Sequence, residues 1–211
     1  MDKAKIRLSP KEADLVSNAD WILTKNGILL KARYILEEVQ EKQQRIFNSI
    51  AGVPSEVRHI PPKISKGENY LGLPYLILDY PRYFEHDNYF AIRTMFWWGN
   101  FFSITLHMSG AHKDRYLPSL TESFAEMKES GIYFCINEDE WQHHLGPDNY
   151  LALKSMDDAA FVKHMQARPF IKLARSYPLK EWEKAEETLV GAFRQMIEWL
   201  GFNSLDDEKG L

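Results

Sequence analysis

Residues 91–108, AIRTMFWWGNFFSITLHM, decide the fold that this sequence predicts. Two aromatic-rich runs flank the dipeptide Gly99-Asn100. A Gly-first pair between apolar runs is typical of a type II′ turn, because glycine accepts the positive φ of the first central position. The segment therefore predicts a β-hairpin. The preceding run YLILDY, residues 75–80, predicts a third strand ended by Pro81, which indicates an antiparallel meander.

Helices are predicted on both sides of this meander. Ser9-Pro10-Lys11-Glu12 combines a capping box with proline at the first helical position, and this first helix is expected to end at Asn26-Gly27. A second helix is expected from about residue 28 to 50, and an amphipathic last helix from about 180 to 200. The intervening segments predict a long loop rich in proline and glycine over 54–74, a helix over 119–129, strands at 132–136 and 170–176, and short helices within 138–165. The expected architecture is one α+β domain over residues 1–211, in which an N-terminal helical pair and a C-terminal helix pack against an antiparallel sheet built around 75–108.

Composition and charge restrict the function classes. Hydrophobic residues make up 45% and charged residues 27% of the 211 residues, values that provide a sizeable core and exclude a disordered chain. The formal net charge of −4 argues against a nucleic-acid-coating protein, which needs a basic face. The N-terminus lacks the apolar run of a signal peptide, and no stretch approaches the ~20 apolar residues of a membrane span. The single cysteine, Cys135, is expected to be a buried thiol. We therefore expect a cytoplasmic protein with no nucleic-acid partner and no membrane partner.

The hairpin register predicts which side chains share a face. If Gly99-Asn100 is the whole turn, Trp98 faces Phe101 and side chains divide by alternation. One face, apolar apart from a single arginine, is the expected core side, and it holds Ala91, Arg93, Met95, Trp97, Phe102, Ile104, Leu106 and Met108. The guanidinium of Arg93 then needs an anion, either Asp79 on the preceding strand or a ligand. The other face mixes rings with polar groups, as pocket walls and helix-covered sheet faces do, and it holds Ile92, Thr94, Phe96, Trp98, Phe101, Ser103, Thr105 and His107.

A second polar pattern, Glu140-Trp-Gln-His143-His144, resembles part of a metal site. On a helix, Glu140 would share a face with His143 or His144, and carboxylate plus imidazole suits zinc or iron. A third ligand would have to come from His107, His112 or His164. Exposed surface histidines are the alternative explanation of this segment. Nucleophile-elbow and phosphate-loop motifs do not occur in the sequence.

These patterns predict a binding domain more readily than an enzyme, although they do not decide between the two. The leading expectation is a non-enzymatic domain without a cofactor that binds a small ligand or a protein partner through the mixed hairpin face. The expected ligand contacts are Arg93, Thr94, Trp98, Ser103, Thr105 and His107. The alternative is a metal-dependent hydrolase with Glu140, His143 and His144 as ligands. Association into a homo-oligomer is left open.

Overall fold

A seven-stranded antiparallel sheet forms the centre of the protein in a computed structural model, of which we describe residues 6–202. In sheet order the strands are β1, β2, β3, β4, β7, β5 and β6. Their bounds are β1 Lys63–Tyr70, β2 Leu73–Glu85, β3 Asn88–Trp97, β4 Phe101–Ser109, β5 Tyr133–Cys135, β6 Tyr150–Ala152 and β7 Phe170–Pro178. With helices before and after the sheet, the predicted α+β class is confirmed.

The described helices are α1 Pro10–Ser17, α2 Ala19–Asn48, α3 Ser55–Arg58, α4 Gly110–Glu122, α5 Phe124–Glu129, α6 Asp158–Ala167 and α7 Ala185–Trp199. The second half of α2 packs against β2 and α7, and α4 packs against β3. This packing follows from amphipathic spacing, because residues such as Leu29, Leu36 and Val39 place one buried stripe along α2. Within residues 6–202, no helix has both the length and the apolar character that crossing a membrane requires.

The tip of the hairpin differs from the sequence prediction by one residue. Trp97, not Trp98, faces Phe101, so Trp98 joins Gly99 and Asn100 in a three-residue loop. The Asn100 N–H donates to the Trp97 carbonyl at 3.1 Å, which puts Gly99, with φ of 72°, at the second central position of the turn. Glycine is as suitable there as at the first central position, since a type II turn requires a positive φ at its second central residue. The type II′ prediction was therefore wrong.

Because of this shift, each side chain of β4 lies on the opposite side of the sheet from the one predicted for it relative to β3. The core face carries Ile92, Thr94, Phe96, Phe102, Ile104, Leu106 and Met108, all of which are buried. Thr94 is therefore a core residue, and its hydroxyl accepts a hydrogen bond from the buried Gln43 amide at 3.3 Å. The opposite face brings Arg93 together with Ser103, Thr105 and His107. Because strand side chains alternate, a one-residue slip moves a whole strand's set to the other face.

Strand β2 does not end at Pro81 as predicted but continues to Glu85. Regular pairing with β3 stops at Asp79 and resumes at Arg82, so the proline lies in a bulge where its missing N–H breaks no ladder bond. The bulge also changes the alternation. Arg82 and Phe84, at even positions, consequently share a face with Asp79.

Three further segment predictions were wrong. The expected 54–74 loop contains α3 and β1, because the prolines fall outside β1 and Gly67 lies at an irregular point of its pairing. The first helical break lies at Asn18, whose side chain caps α2, while α2 runs through Gly27 since one glycine in a helix is tolerated. Residues 136–149 are irregular rather than helical, and they connect β5 to β6. Cys135 is buried in β5 as expected, and burial raises the pKa of its thiol.

Candidate functional site

The sheet face opposite the helices carries a row of charged and polar side chains. Lys63, Asp79, Arg93 and Thr105 are direct neighbours across β1 to β4. Arg93 binds Asp79 through two hydrogen bonds, Nε to Oδ1 at 2.7 Å and Nη2 to Oδ2 at 3.1 Å. The predicted partner of Arg93 is therefore confirmed. Such a bidentate pair fixes the direction of the guanidinium.

The irregular segment 136–149, which we call the roof, covers part of this face. Lys172 on β7 donates from Nζ to the carbonyl of Glu140 at 2.8 Å and to that of Gln142. The hydroxyl of Tyr70, at the end of β1, accepts from the backbone N–H groups of His143 at 2.6 Å and His144 at 3.0 Å. These contacts hold a segment without regular structure at a fixed position, since its backbone polar groups find partners on the sheet.

Two histidines lie beside charged groups here, namely His107, which is buried beneath the roof, and His143, which is a partly buried residue of the roof itself. His107, which is 4% exposed, has Nε2 at 2.7 Å from the Glu140 carboxylate. Burial lowers the pKa of His107 despite that carboxylate. Burial, followed by the nearby charges of Lys172 and Arg93, lowers the pKa of His143 to about 2. His143 is therefore neutral at physiological pH, and its Nε2 lies 3.5 Å from Nη1 of Arg93.

Lys172 is also perturbed by its surroundings. Burial lowers the pKa of this lysine to about 8, so most of the population still carries a proton near neutrality. The ammonium group can donate its hydrogens to the two roof carbonyls in that form. Its contacts explain why a lysine lies inside the protein, because buried charges require hydrogen-bond partners.

An open cleft begins where the roof ends. Its volume is about 430 Å³, and it is lined by Lys63, Asp79, Arg82, Phe84, His86, Tyr89, Arg93 and Trp141. Phe84, Tyr89 and Trp141 form a group of rings with centroids 5.6 to 6.2 Å apart. Phe84 is 37% exposed and Trp141 is 45% exposed, so aromatic surface is available to a bound molecule. Trp141 and Tyr89 also contact the ring of His107, each with a centroid separation of 5.6 Å.

The structure places the six predicted ligand contacts in four different environments. Arg93 lines the cleft. Ser103, Thr105 and His107 share its face but are buried. Thr94 lies in the core on the opposite face, and Trp98 lies in the turn.

The three predicted metal ligands do come to this region, but each has its own partner. Glu140 binds His107, His143 contacts Arg93, and His144 binds Tyr70 at 3.0 Å. Among residues 6–202, no three His, Cys, Asp or Glu side chains form a group that could hold a metal ion. In the structure these three residues belong to a polar network with His107, Arg93 and Tyr70.

Sequence reasoning missed most of the cleft, namely Lys63, Arg82, Phe84, Tyr89 and Trp141. Lys63 was assigned to a loop, and Arg82 and Phe84 follow a proline that was expected to end the strand. A signal was present in the aromatic pair Tyr83-Phe84 beyond Pro81, because aromatic residues are enriched in strands.

No protein-family model, no curated protein and no solved structure matches the chain.

Proposed function

We propose that this protein binds a small anionic molecule with a planar ring in the cleft beside the roof. The observation that carries the proposal is the lining itself, in which three cations, Lys63, Arg82 and Arg93, adjoin a cluster of aromatic rings. The cleft volume of about 430 Å³ suits a metabolite-sized ligand, since such sites span roughly 300–1,000 Å³.

Charge supports the anionic part of the ligand. The chain as a whole carries a net charge of −4, yet the three cations of the cleft face one carboxylate, Asp79. Asp79 is engaged by Arg93. Within the described residues, neither Nζ of Lys63 nor the terminal nitrogens of Arg82 have a partner, while Nε of Arg82 donates to the Pro61 carbonyl at 2.8 Å. A carboxylate or phosphate group of the ligand would accept hydrogen bonds from these donors.

The exposed aromatic rings support the proposal that the ligand contains a planar ring. Phe84 and Trp141 line the same cleft as Arg82, and each leaves more than a third of its surface open. A planar group stacked on such rings is stabilised by about 1–3 kcal/mol. Strand β2 holds Phe84 and the roof holds Trp141, with their ring centroids 6.2 Å apart and both beside Tyr89, so the stacking surface exists before the ligand arrives.

A larger groove of about 810 Å³ lies between α2 and α7, but its lining fits this ligand less well. It contains Lys42, Lys184 and Arg194 together with Glu186 and Glu187, and it has no aromatic side chain. Lys42 and Glu186 already pair at 2.6 Å. We therefore assign the ligand to the smaller cleft.

The test is calorimetric titration of the full chain with probes that separate the two features. Adenosine monophosphate and benzoate carry a ring and a negative charge, adenosine and benzamide carry the ring alone, and inorganic phosphate carries the charge alone. We expect the probes with both features to bind most tightly. Arg82→Gln is expected to weaken binding about tenfold or more, and Trp141→Ala at least about fivefold.

Arg194→Gln is the matched control, because it removes the same charge from the larger groove. Equal losses in Arg82→Gln and Arg194→Gln would contradict the assignment to the cleft. Absence of binding by all ring-bearing anions would overturn the proposal. Equal affinity for phosphate and adenosine monophosphate would remove the role of the rings.

A further inference from the structure

An apolar surface at the N-terminal end of the described residues is not covered by any other part of residues 6–202. Among residues 6–202, nine of the thirteen exposed large apolar side chains precede residue 35. Residues 10–34, which we call the arm, comprise α1 and the first half of α2. Helix α1 has no buried residue, and the first buried residue of α2 is Leu29. The exposed apolar side chains of the arm are Leu15, Val16, Trp21, Ile22, Leu23, Leu30 and Tyr34.

Part of this surface is an ordered stripe on α2. Leu23, Gly27, Leu30 and Tyr34 follow one another at spacings of four, three and four residues, which is the pattern of a helix–helix seam. At 3.6 residues per turn, this stripe lies about 160° from the centre of the buried stripe of the same helix. Helix α2 therefore has two apolar sides, of which the sheet and α7 cover one.

Gly27 is a second observation on the same side of the helix. It has ordinary helical geometry, and a Cβ atom at this position would meet nothing within 4 Å. Glycine in a helix interior costs about 1 kcal/mol relative to alanine, and within residues 6–202 no contact requires it. A glycine on an open helix surface does, however, leave room for the close approach of another chain.

We propose that a second copy of this chain packs against this stripe, with the two α2 helices antiparallel. In that arrangement Leu30 of each copy lies opposite Gly27 of the second copy, and Leu23 lies opposite Tyr34. Each bulky side chain thus meets a space or a complementary ring, and the two-fold axis passes near residues 28–29. A parallel pair would set Gly27 against Gly27 and leave a void, which is unfavourable.

The area of the stripe fits a weak, concentration-dependent dimer. Leu23, Leu30 and Tyr34, at roughly 100 Å² each, supply roughly 300 Å² per copy, which is below the ~800 Å² per partner of a standard interface. The four other exposed apolar side chains of the arm lie outside the stripe. The charge of the arm does not favour a lipid surface, since residues 10–34 contain four basic and three acidic side chains. Helices that lie on membranes carry a strongly basic polar face.

The first test is the mass of the full chain in solution, measured by sedimentation over a wide range of concentration. We expect a dimer with twice the mass of one chain, and a monomer for the double variant Leu23→Glu and Leu30→Glu. The matched control is Leu71→Glu with Leu151→Glu, because these leucines are also exposed but lie elsewhere. The control is expected to remain dimeric. Circular dichroism establishes that both variants are folded.

Single cysteines then test the direction of the helices. Cys135 is the only native cysteine and is buried, so an introduced cysteine is the only accessible thiol for disulfide cross-linking. In the antiparallel pair, position 23 lies about 16 Å along the axis from its own copy, too far for a disulfide, which needs Cα atoms within about 7 Å. Leu23→Cys and Tyr34→Cys should each fail to cross-link alone and should cross-link when mixed.

Three outcomes would overturn the proposal. These are a monomer at every concentration, a dimer that survives Leu23→Glu with Leu30→Glu, and efficient cross-linking of Leu23→Cys with itself. Binding of the monomer to phosphatidylcholine vesicles, lost in the double glutamate variant, would assign the stripe to a lipid surface and would also overturn it.

Discussion

Replacing His143 with glutamine is expected to make the stability of the protein less sensitive to acid. In the folded chain the pKa of His143 is about 2, whereas its ordinary value is 6.5. The first cause is burial of the imidazole, followed by the charges of Lys172 on β7, Arg93 on β3, His107 on β4 and the adjacent His144. Below pH 6.5 the unfolded chain therefore binds a proton that the folded chain does not bind. Stability is lost as the pH falls through that range, and above it His143 has no effect.

The size of the effect follows from this difference. Each pH unit between the two pKa values changes the free energy of unfolding by about 1.4 kcal/mol. From about pH 7 to about pH 5, His143 alone therefore removes about 2 kcal/mol of stability. Glutamine does not titrate, and its side-chain oxygen retains an acceptor for Nη1 of Arg93. The variant is expected to lose about 2 kcal/mol less than the wild type over the same interval.

Urea unfolding followed by tryptophan fluorescence, at both pH values, measures this difference directly. His59→Gln is the matched control, because His59 is exposed and its hydration changes little on folding. We expect the control to follow the wild type. If His143→Gln lost as much stability as the wild type on acidification, the buried neutral imidazole would be refuted.

Three further predictions concern the fold. Gly110→Ala is expected to destabilise the protein by about 1–3 kcal/mol, because φ at Gly110 is +54° and a Cβ there would lie 2.6 Å from the Asp87 carbonyl oxygen. Gly191→Ala in α7 is the control, since a Cβ there meets open space, and it should stabilise the protein by up to about 1 kcal/mol. Thermal unfolding compares the two variants. The double variant Gln43→Met with Thr94→Val is expected to be at least as stable as the wild type, since Oε1 of Gln43 is buried without a partner in the described chain. Thr94→Val alone leaves the buried Gln43 amide without its hydrogen-bond acceptor and should destabilise the protein by about 1–3 kcal/mol. Urea unfolding of both variants measures the difference. Lys172→Met removes two roof contacts, so hydrogen exchange should accelerate in 136–149 and stay unchanged in β4; equal exchange in both chains would show that other contacts hold the roof.

Several features were accessible from the sequence because they depend on neighbouring residues. The Ser9 and Glu12 capping box forms as predicted, since its partners are three residues apart. The Asp79–Arg93 pair was predicted because an arginine among apolar strand residues needs an anion and the preceding strand offers one. Within β4 the alternation was also predicted, because Ser103, Thr105 and His107 share one side of the strand, whereas the prediction placed Arg93 on the opposite face and the observed register brings it to theirs.

The sequence by itself determined the α+β class, the main strands and the presence of polar residues on a sheet face, because alternation and capping are local properties. Only the tertiary structure decided the phase of that alternation. Gly99 could serve at either central position of its turn, and the bulge before Arg82 adds a residue that no periodicity predicts. The cleft depends on contacts between distant segments, such as Lys172 with Glu140 at a separation of 32 residues, and their geometry follows from the packing of the whole sheet.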